Sequence, residues 1–189
     1  MAQGRRSQAH QLSLFQPQPK PTSKSTPYRD PPHSVAVYKV TLVRESSLPI
    51  HDVRLRNSAD CARIIRNYLA GVDREHFIVL MVNRKNEVIG INTVSVGNLT
   101  GSIVSPREVF KPAILGNAAA IICAHNHPSG DPKPSPEDRE TTKRLHEAGK
   151  LLGIQVLDHI IIGDGTTAYY SFADQGALGL GEVSESIAV

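Results

Sequence analysis

An apolar run ending in two spaced histidines constrains this chain more than any other stretch. Ala118-Ala119-Ala120-Ile121-Ile122-Cys123 reads as a buried strand, too short to cross a membrane, and it leads into Ala124-His125-Asn126-His127-Pro128-Ser129-Gly130. Side chains alternate along a strand, so His125 and His127 leave the same face and place two imidazoles in one space. A turn-rich loop with Pro128, Gly130, Pro132 and Pro134 follows, then Ser135-Pro136-Glu137-Asp138. That tetrapeptide has the marks of a helix start, with Ser135 at the N-cap, Pro136 at the first helical position and Asp138 in the first turn. The loop can swing Asp138 back over the strand end, so that two nitrogens and one oxygen surround a point.

Zinc sites that do catalysis use three protein ligands of this kind and leave the fourth position to water. A structural zinc site wants a fourth ligand, usually cysteine, and Cys123 is set aside on strand parity as long as the strand stays regular. The spacing by itself also admits a plainer explanation. A histidine at a strand end is commonly a satisfied polar residue, and an aspartate in a helix's first turn complements the helix dipole without any metal. Nor is His-Asn-His the site of an HNH nuclease, whose named residues are dispersed through a larger motif.

His125-x-His127, seven residues, Ser135, two residues and Asp138 resembles the JAMM motif of the MPN metalloenzymes. The wording His-Asn-His-Pro-Ser-Gly-Asp-Pro is similar to the bacterial RadC branch of that family. The likeness extends to Ser95-Val96-Gly97-Asn98-Leu99, Ser105-Pro106-Arg107-Glu108-Val109-Phe110 and Asp158-His159-Ile160-Ile161-Ile162-Gly163, and covers roughly Val35 to Gly176. The resemblance implies one catalytic-type Zn²⁺ ion held by His125, His127 and Asp138.

At 189 residues, 40% of them hydrophobic and few aromatic, the chain has the composition of a soluble globular protein with room for one well-filled domain. Cys61 and Cys123 both sit in segments that read as core, which fits a reduced, cytoplasmic setting and no disulfide framework. Neither a secretory signal nor a membrane-spanning run is expected.

Residues 1–34 differ from the rest. They hold Pro17, Pro19, Pro21, Pro27, Pro31 and Pro32 among repeated glutamines and serines, with no hydrophobic period, and are expected to be a disordered tail. Arg5, Arg6, Lys20, Lys24 and Arg29 against Asp30 give the tail a balance of +4; with the chain at +3 overall, residues 35–189 stand at −1. Basic character therefore belongs to the tail, where it serves either solubility or non-specific contact with nucleic acid. One apolar island, Gln11-Leu12-Ser13-Leu14-Phe15, has no core to join and has the form of a peptide that orders on a partner. It resembles the bacterial sliding-clamp-binding motif, which implies the clamp as partner, with Gln11, Leu12, Leu14 and Phe15 making the contact.

The folded domain is expected over residues 35–189. Residues 35–43 have strand composition with partial alternation. Ser58-Ala59-Asp60 opens a helix with Cys61, Ile64, Ile65, Tyr68 and Leu69 at the helical period, and Gly71 closes it. His76 to Val82 and Glu87 to Val96 form a hairpin around Asn83-Arg84-Lys85-Asn86. Ser105-Pro106-Arg107-Glu108 has the form of a capping box, opening a helix that ends by Gly116. After the histidine strand a helix runs from Ser135 toward Gly149, and Ile154 to Gly163 and Thr167 to Phe172 are the last strands. The pattern is that of a mixed α/β domain with helices flanking a central curved sheet, and the resemblance makes it the MPN, cytidine-deaminase-like architecture. Many RadC proteins carry a helical, helix-hairpin-helix-like region before the metalloenzyme domain; here the expected disordered tail stands in its place, which puts in doubt any DNA-binding role assigned to that region.

Two imidazoles and a carboxylate on Zn²⁺ can acidify a water, taking its pKa from 15.7 to about 7 in favourable cases. Protons must then be moved by another group. In MPN hydrolases this is a glutamate preceding an early core strand, and the resemblance implies Glu75, just before His76, in that role, whereas Glu87 and Glu108 have ordinary solvent or capping explanations. Ser135 matches the motif serine, which the resemblance gives a part in holding the water or the developing oxyanion; its other role is the N-cap. Asp158 and His159 point to opposite faces of a strand, so they do not act as a pair, and one of them is a candidate to brace a metal ligand from behind. Two classes of function stay open: a zinc hydrolase of amide or isopeptide bonds, and a DNA-repair or replication factor that uses the same fold to bind or process DNA.

Overall fold

A computed structural model describes residues 35–50, 52–97 and 104–178. Residues 35–39, the described part of a first unit that ends at Lys39, carry no regular structure, and the fold belongs to the second unit, from Val40 on. Its described elements are α1 (Ser58–Tyr68), β1 (His76–Val82), β2 (Val88–Val96), α2 (Pro106–Leu115), β3 (Ala120–His127), α3 (Pro136–Leu152), β4 (Gln155–Gly163) and β5 (Tyr169–Ser171). Together they form the expected mixed α/β domain.

β1 is antiparallel to both β2 and β3, β3 is parallel to β4, and β5 is antiparallel to β4, which gives the sheet order β2-β1-β3-β4-β5. The expected hairpin forms. Its turn is held by the Asn83 carboxamide oxygen, which accepts from the Lys85 and Glu87 amides at 2.8 and 3.1 Å, while Asn86 adopts φ 58°, a conformation asparagine tolerates.

Alternation divides the sheet into two apolar faces. Ile78, Leu80, Val82, Ile122, Ala124 and Ile160 pack with Cys61, Ala62, Ile64 and Ile65 of α1. Phe77, Val79, Met81, Ile121 and Cys123 pack on the other face with Val109, Phe110 and Ala113 of α2 and Leu145 of α3. Each large aliphatic side chain so buried contributes about 1.5–3 kcal/mol by transfer from water. The second face also carries the histidines.

Two expectations are not met. The strand expected at residues 35–43 does not form, and Val35, Val37, Tyr38 and Val43 are 90%, 96%, 85% and 84% exposed. Strand propensity describes fit to a pleated, half-buried surface, and this run finds no ladder partner among the described residues. At the start of α2, Ser105 is the N-cap but makes no side-chain capping bond; the Glu108 carboxylate accepts instead from Lys111 Nζ at 2.7 and 2.9 Å, one helical turn on.

The loop after β3 is seated by a close backbone crossing. Gly130, at φ 84°, passes Gly163 at the end of β4 so closely that a Cβ at 163 would lie 2.0 Å from the Gly130 carbonyl oxygen. The Gly130 and Asp164 amides both donate to the His127 carbonyl, at 3.0 and 3.1 Å. Glycine at both crossing positions thus sets where the chain from His127 to Asp138 begins its return.

Candidate metal centre

His125 and His127 leave the C-terminal end of β3 on one face, as alternation requires, and α3 brings Asp138 to them. His125 Nε2 lies 3.0 Å from His127 Nε2 and 3.2 Å from Asp138 Oδ1, and His127 Nε2 lies 3.6 Å from Asp138 Oδ2. One donor atom from each of the three residues falls within 4.8 Å of the others.

The helix start that delivers Asp138 has its full set of capping bonds. The Asp138 amide donates to Ser135 Oγ at 3.1 Å, and Asp138 Oδ2 accepts from the Ser135 amide at 2.8 Å and the Ser135 hydroxyl at 2.7 Å. Ser135 is therefore the N-cap, and its hydroxyl is committed to the ligand carboxylate. With Asp at the third position in place of Glu, one side chain closes the capping box and faces the histidines.

His127 Nδ1 sits 2.7 Å from the Asp131 carbonyl oxygen, which can only accept, so Nδ1 carries a proton and Nε2 is the atom turned inward. His125 is wholly buried, with Phe77 stacked on it at 6.0 Å between centroids. Behind it, His125 Nδ1 meets His159 Nε2 at 2.9 Å. Burial lowers the pKa of both His125 and His159, disfavouring the charged form of each ring. His127 moves the other way, raised chiefly by its bond to Asp138. For Asp138 burial pushes upward, but the close approach of His125 and His127 and the bond from Ser135 outweigh it and hold the carboxyl well below the usual range.

Glu75 lies just before β1, beside this cluster. Burial pushes its pKa up to about 7, with His127 pulling down and Asp138 adding to the rise, and its Oε1 is buried with no hydrogen-bond partner among the described residues. A buried, unpartnered carboxylate oxygen calls for an explanation, and a proton-transfer role at this cluster is one.

The donor set fits a zinc ion. Imidazole nitrogens and a carboxylate oxygen are zinc ligands, three is the number that leaves a position open, and lone pairs this close to one another and to a carboxylate repel unless a proton or a metal cation lies between them. Cys123, set aside above on parity, in fact shares the histidines' face. It is excluded by depth: two residues back along β3 it is fully buried in the apolar cluster, where burial pushes its thiol up to about 12.

A family model described as RadC-like JAB domain matches residues 55–177. The chain belongs to that family. Its RadC-like relatives include a UPF0758 protein of Rubrobacter xylanophilus, 48% identical over 140 residues, which cover 74% of this chain and 59% of the relative. A UPF0758 protein of Bacillus cereus is 57% identical over 110 residues, 58% of this chain and 49% of the relative. One of Clostridium acetobutylicum is 52% identical over 126 residues, 67% and 54% of the two chains. The chain thus spans about half to three-fifths of the length of these curated relatives. The RadC-like region contains every residue of the cluster, from Glu75 to Asp138.

Asn126 and Thr142 were not among the residues singled out from the sequence. Asn126, between the histidines, points to the opposite face, is fully buried, and bonds to the chain around Glu75. Strand parity flags it, because a buried carboxamide must find partners. Thr142 lies four residues after Asp138, on the same helix face, and its hydroxyl meets His159 Nδ1 at 2.6 Å. His159 does turn toward the candidate ligands, meeting His125, while Asp158 turns away, to Ser171 Oγ at 2.5 Å and the Ala173 amide at 2.9 Å. Gln11, Leu12, Leu14 and Phe15 lie outside the described residues.

Proposed function

We propose that the chain is a zinc-dependent hydrolase of the JAMM/MPN type, acting on an amide or isopeptide bond. The observation that carries this is the convergence of His125 Nε2, His127 Nε2 and the Asp138 carboxylate beside the unpartnered, half-buried Glu75. When bound by these three residues, Zn²⁺ would polarise the scissile carbonyl and make water a nucleophile at neutral pH.

The protein's own residues account for the proton movements. With a pKa raised to about 7, Glu75 is shared between its two forms at neutral pH, so it can take a proton from the attacking water and return it to the departing amine. The net change is addition of one water across the bond, with Glu75 restored. Ser135 orients the Asp138 carboxylate from the helix N-cap, where its hydroxyl proton is given to Asp138 Oδ2. The apolar wall of Phe77 and Phe172 keeps water from the rings behind the ligands, which raises the strength of every polar contact there.

The second reading, a DNA-repair or replication factor, draws its support from the tail. We propose that Gln11-Leu12-Ser13-Leu14-Phe15 docks on the bacterial sliding clamp and so keeps the metal domain near DNA, with the basic tail adding non-specific contact. The two free, buried cysteines fit a reducing compartment, and among the described residues no helix is long and apolar enough to cross a membrane. Isopeptide-linked, peptide and DNA substrates, each tested with and without chelator on protein of known zinc content, separate the two readings. Chelator-sensitive cleavage of peptide or isopeptide bonds supports the first, and cleavage of DNA alone overturns it.

A further inference from the structure

The hydrogen bonds behind His125 link three buried side chains and end on a group that can only accept. Thr142 Oγ1 lies 2.6 Å from the Asp138 main-chain carbonyl oxygen and 2.6 Å from His159 Nδ1, and His159 Nε2 lies 2.9 Å from His125 Nδ1. His125, His159 and Thr142 are 0%, 1% and 1% exposed, so no solvent offers them other partners.

We infer that Thr142 and His159 form a one-directional relay of hydrogen bonds that fixes the tautomer of His125, so that its Nε2 lone pair faces the cation site before any cation arrives. The proton positions follow from the carbonyl end. Thr142 donates its only hydroxyl proton to the Asp138 carbonyl, which leaves Thr142 Oγ1 to accept from His159 Nδ1–H. A neutral imidazole carries one proton, so His159 Nε2 is an acceptor and takes the Nδ1–H of His125. The proton of His125 is then committed, and its Nε2 is bare. Run in reverse, with Thr142 donating to His159, the chain would put a proton on His125 Nε2, aimed at Asp138 Oδ1 where a cation belongs.

Asp138 therefore enters the site twice. Its carboxylate is the oxygen ligand, and its main-chain carbonyl, through Thr142 and His159, sets the proton of the nitrogen ligand opposite. Because the rings are held in place by Phe77 edge-on to His159 at 5.4 Å and Phe172 stacked on it at 5.2 Å, the arrangement is rigid as well as directional. Thr142 and His159 are positioning residues in this scheme, since neither faces the cation.

The inference rests on the zinc reading above for its functional meaning, but its core is a statement about metal-free protein and is tested there. Nitrogen-15 spectra of the imidazoles in the metal-free full chain should show His125 and His159 both protonated on Nδ1 and bare on Nε2. His159→Phe, which fills the same aromatic slot without an acceptor, and Thr142→Val should move His125 toward the Nε2-protonated form, and Thr142→Ser should restore it. Zinc affinity, read by competition with a chromophoric chelator, should fall about 10- to 100-fold in His159→Phe, less in Thr142→Val, and recover in Thr142→Ser. A wild-type His125 carrying its proton on Nε2, or wild-type zinc affinity in His159→Phe, would overturn the relay. Wild-type protein that takes up no zinc yet shows the expected tautomers would count against the zinc reading and leave the relay standing.

Discussion

The side-chain amide of Asn126 grips the main chain on both sides of Glu75. Its oxygen accepts from the His76 amide at 2.8 Å and its nitrogen donates to the Arg74 carbonyl at 3.1 Å, while the same nitrogen donates to Asp164 Oδ2 at 2.8 Å. The residue between His125 and His127 thus holds the candidate proton carrier from the other face of β3, and ties it to the turn after β4. Asn126→Ala should deprive these part-buried groups of their partner, at about 1–3 kcal/mol in all, and should lower turnover while zinc content stays at the wild-type level. Denaturant melts and metal analysis of one preparation check both parts. Wild-type turnover in a destabilised variant would show the clamp to be structural only.

Gly163→Ala is expected to strike the site from a distance. The added Cβ would sit 2.0 Å from the Gly130 carbonyl, a clash with main chain that no side-chain movement relieves. Overpacking of this kind costs about 1–3 kcal/mol or more, and here relief requires the loop between His127 and Asp138 to shift. Both the melting midpoint and zinc affinity should fall. A variant as stable as wild type would contradict the crossing as described.

Stability of the metal-free protein should depend on Glu75 with a definite sign. Its folded pKa is raised from 4.5 to about 7 by burial first, so between those values the folded chain binds more proton than the unfolded one. Its contribution is therefore fully present below the unfolded pKa and is lost as pH rises through about 7. Glu75→Gln has no charge to bury, so metal-free Glu75→Gln should lose less stability than wild type between about pH 4.5 and about pH 7.5. Parallel pH profiles in denaturant titrations would refute the assignment of the raised pKa to Glu75.

What was legible in the sequence is local. The spacing of His125 and His127 needs only strand alternation, and Ser135-Pro136-Glu137-Asp138 needs only helix-cap chemistry, so both could be placed before the fold was known. Partnerships across the sheet were not legible. That Asn126 meets Arg74 and His76 depends on β1 lying beside β3, and that His159 meets His125 depends on β4 lying on the other side. Residues 35–43 failed for the complementary reason: their composition is that of a strand, but a strand also needs a neighbour. At Ser105 the capping pattern was outcompeted by Lys111, a contest between partners that the tetrapeptide alone does not display.

Ser135→Ala removes both the cap and the hydroxyl that holds Asp138 Oδ2. Loss of an N-cap side chain costs about 1 kcal/mol. Beyond that, Asp138 keeps only the Ser135 amide and the histidines as partners, so zinc affinity should drop as well, and Ser135→Thr should recover much of both. If stability falls but zinc affinity does not, Ser135 is a helix cap and nothing more.

For the tail, a synthetic peptide spanning Gln11-Leu12-Ser13-Leu14-Phe15 should bind purified sliding clamp saturably, and the Leu14→Ala, Phe15→Ala double variant should not. Equal binding by both would leave only attraction by the basic residues around the motif.

The zinc site itself is tested most directly by metal content. Protein purified without added metal should hold one zinc per chain, and His127→Ala, still folded by circular dichroism, should hold none, because it removes a ligand whose Nε2 the Asp131 carbonyl keeps turned inward. Unchanged zinc content in His127→Ala, or wild-type protein that takes up no zinc when it is supplied, would contradict the account.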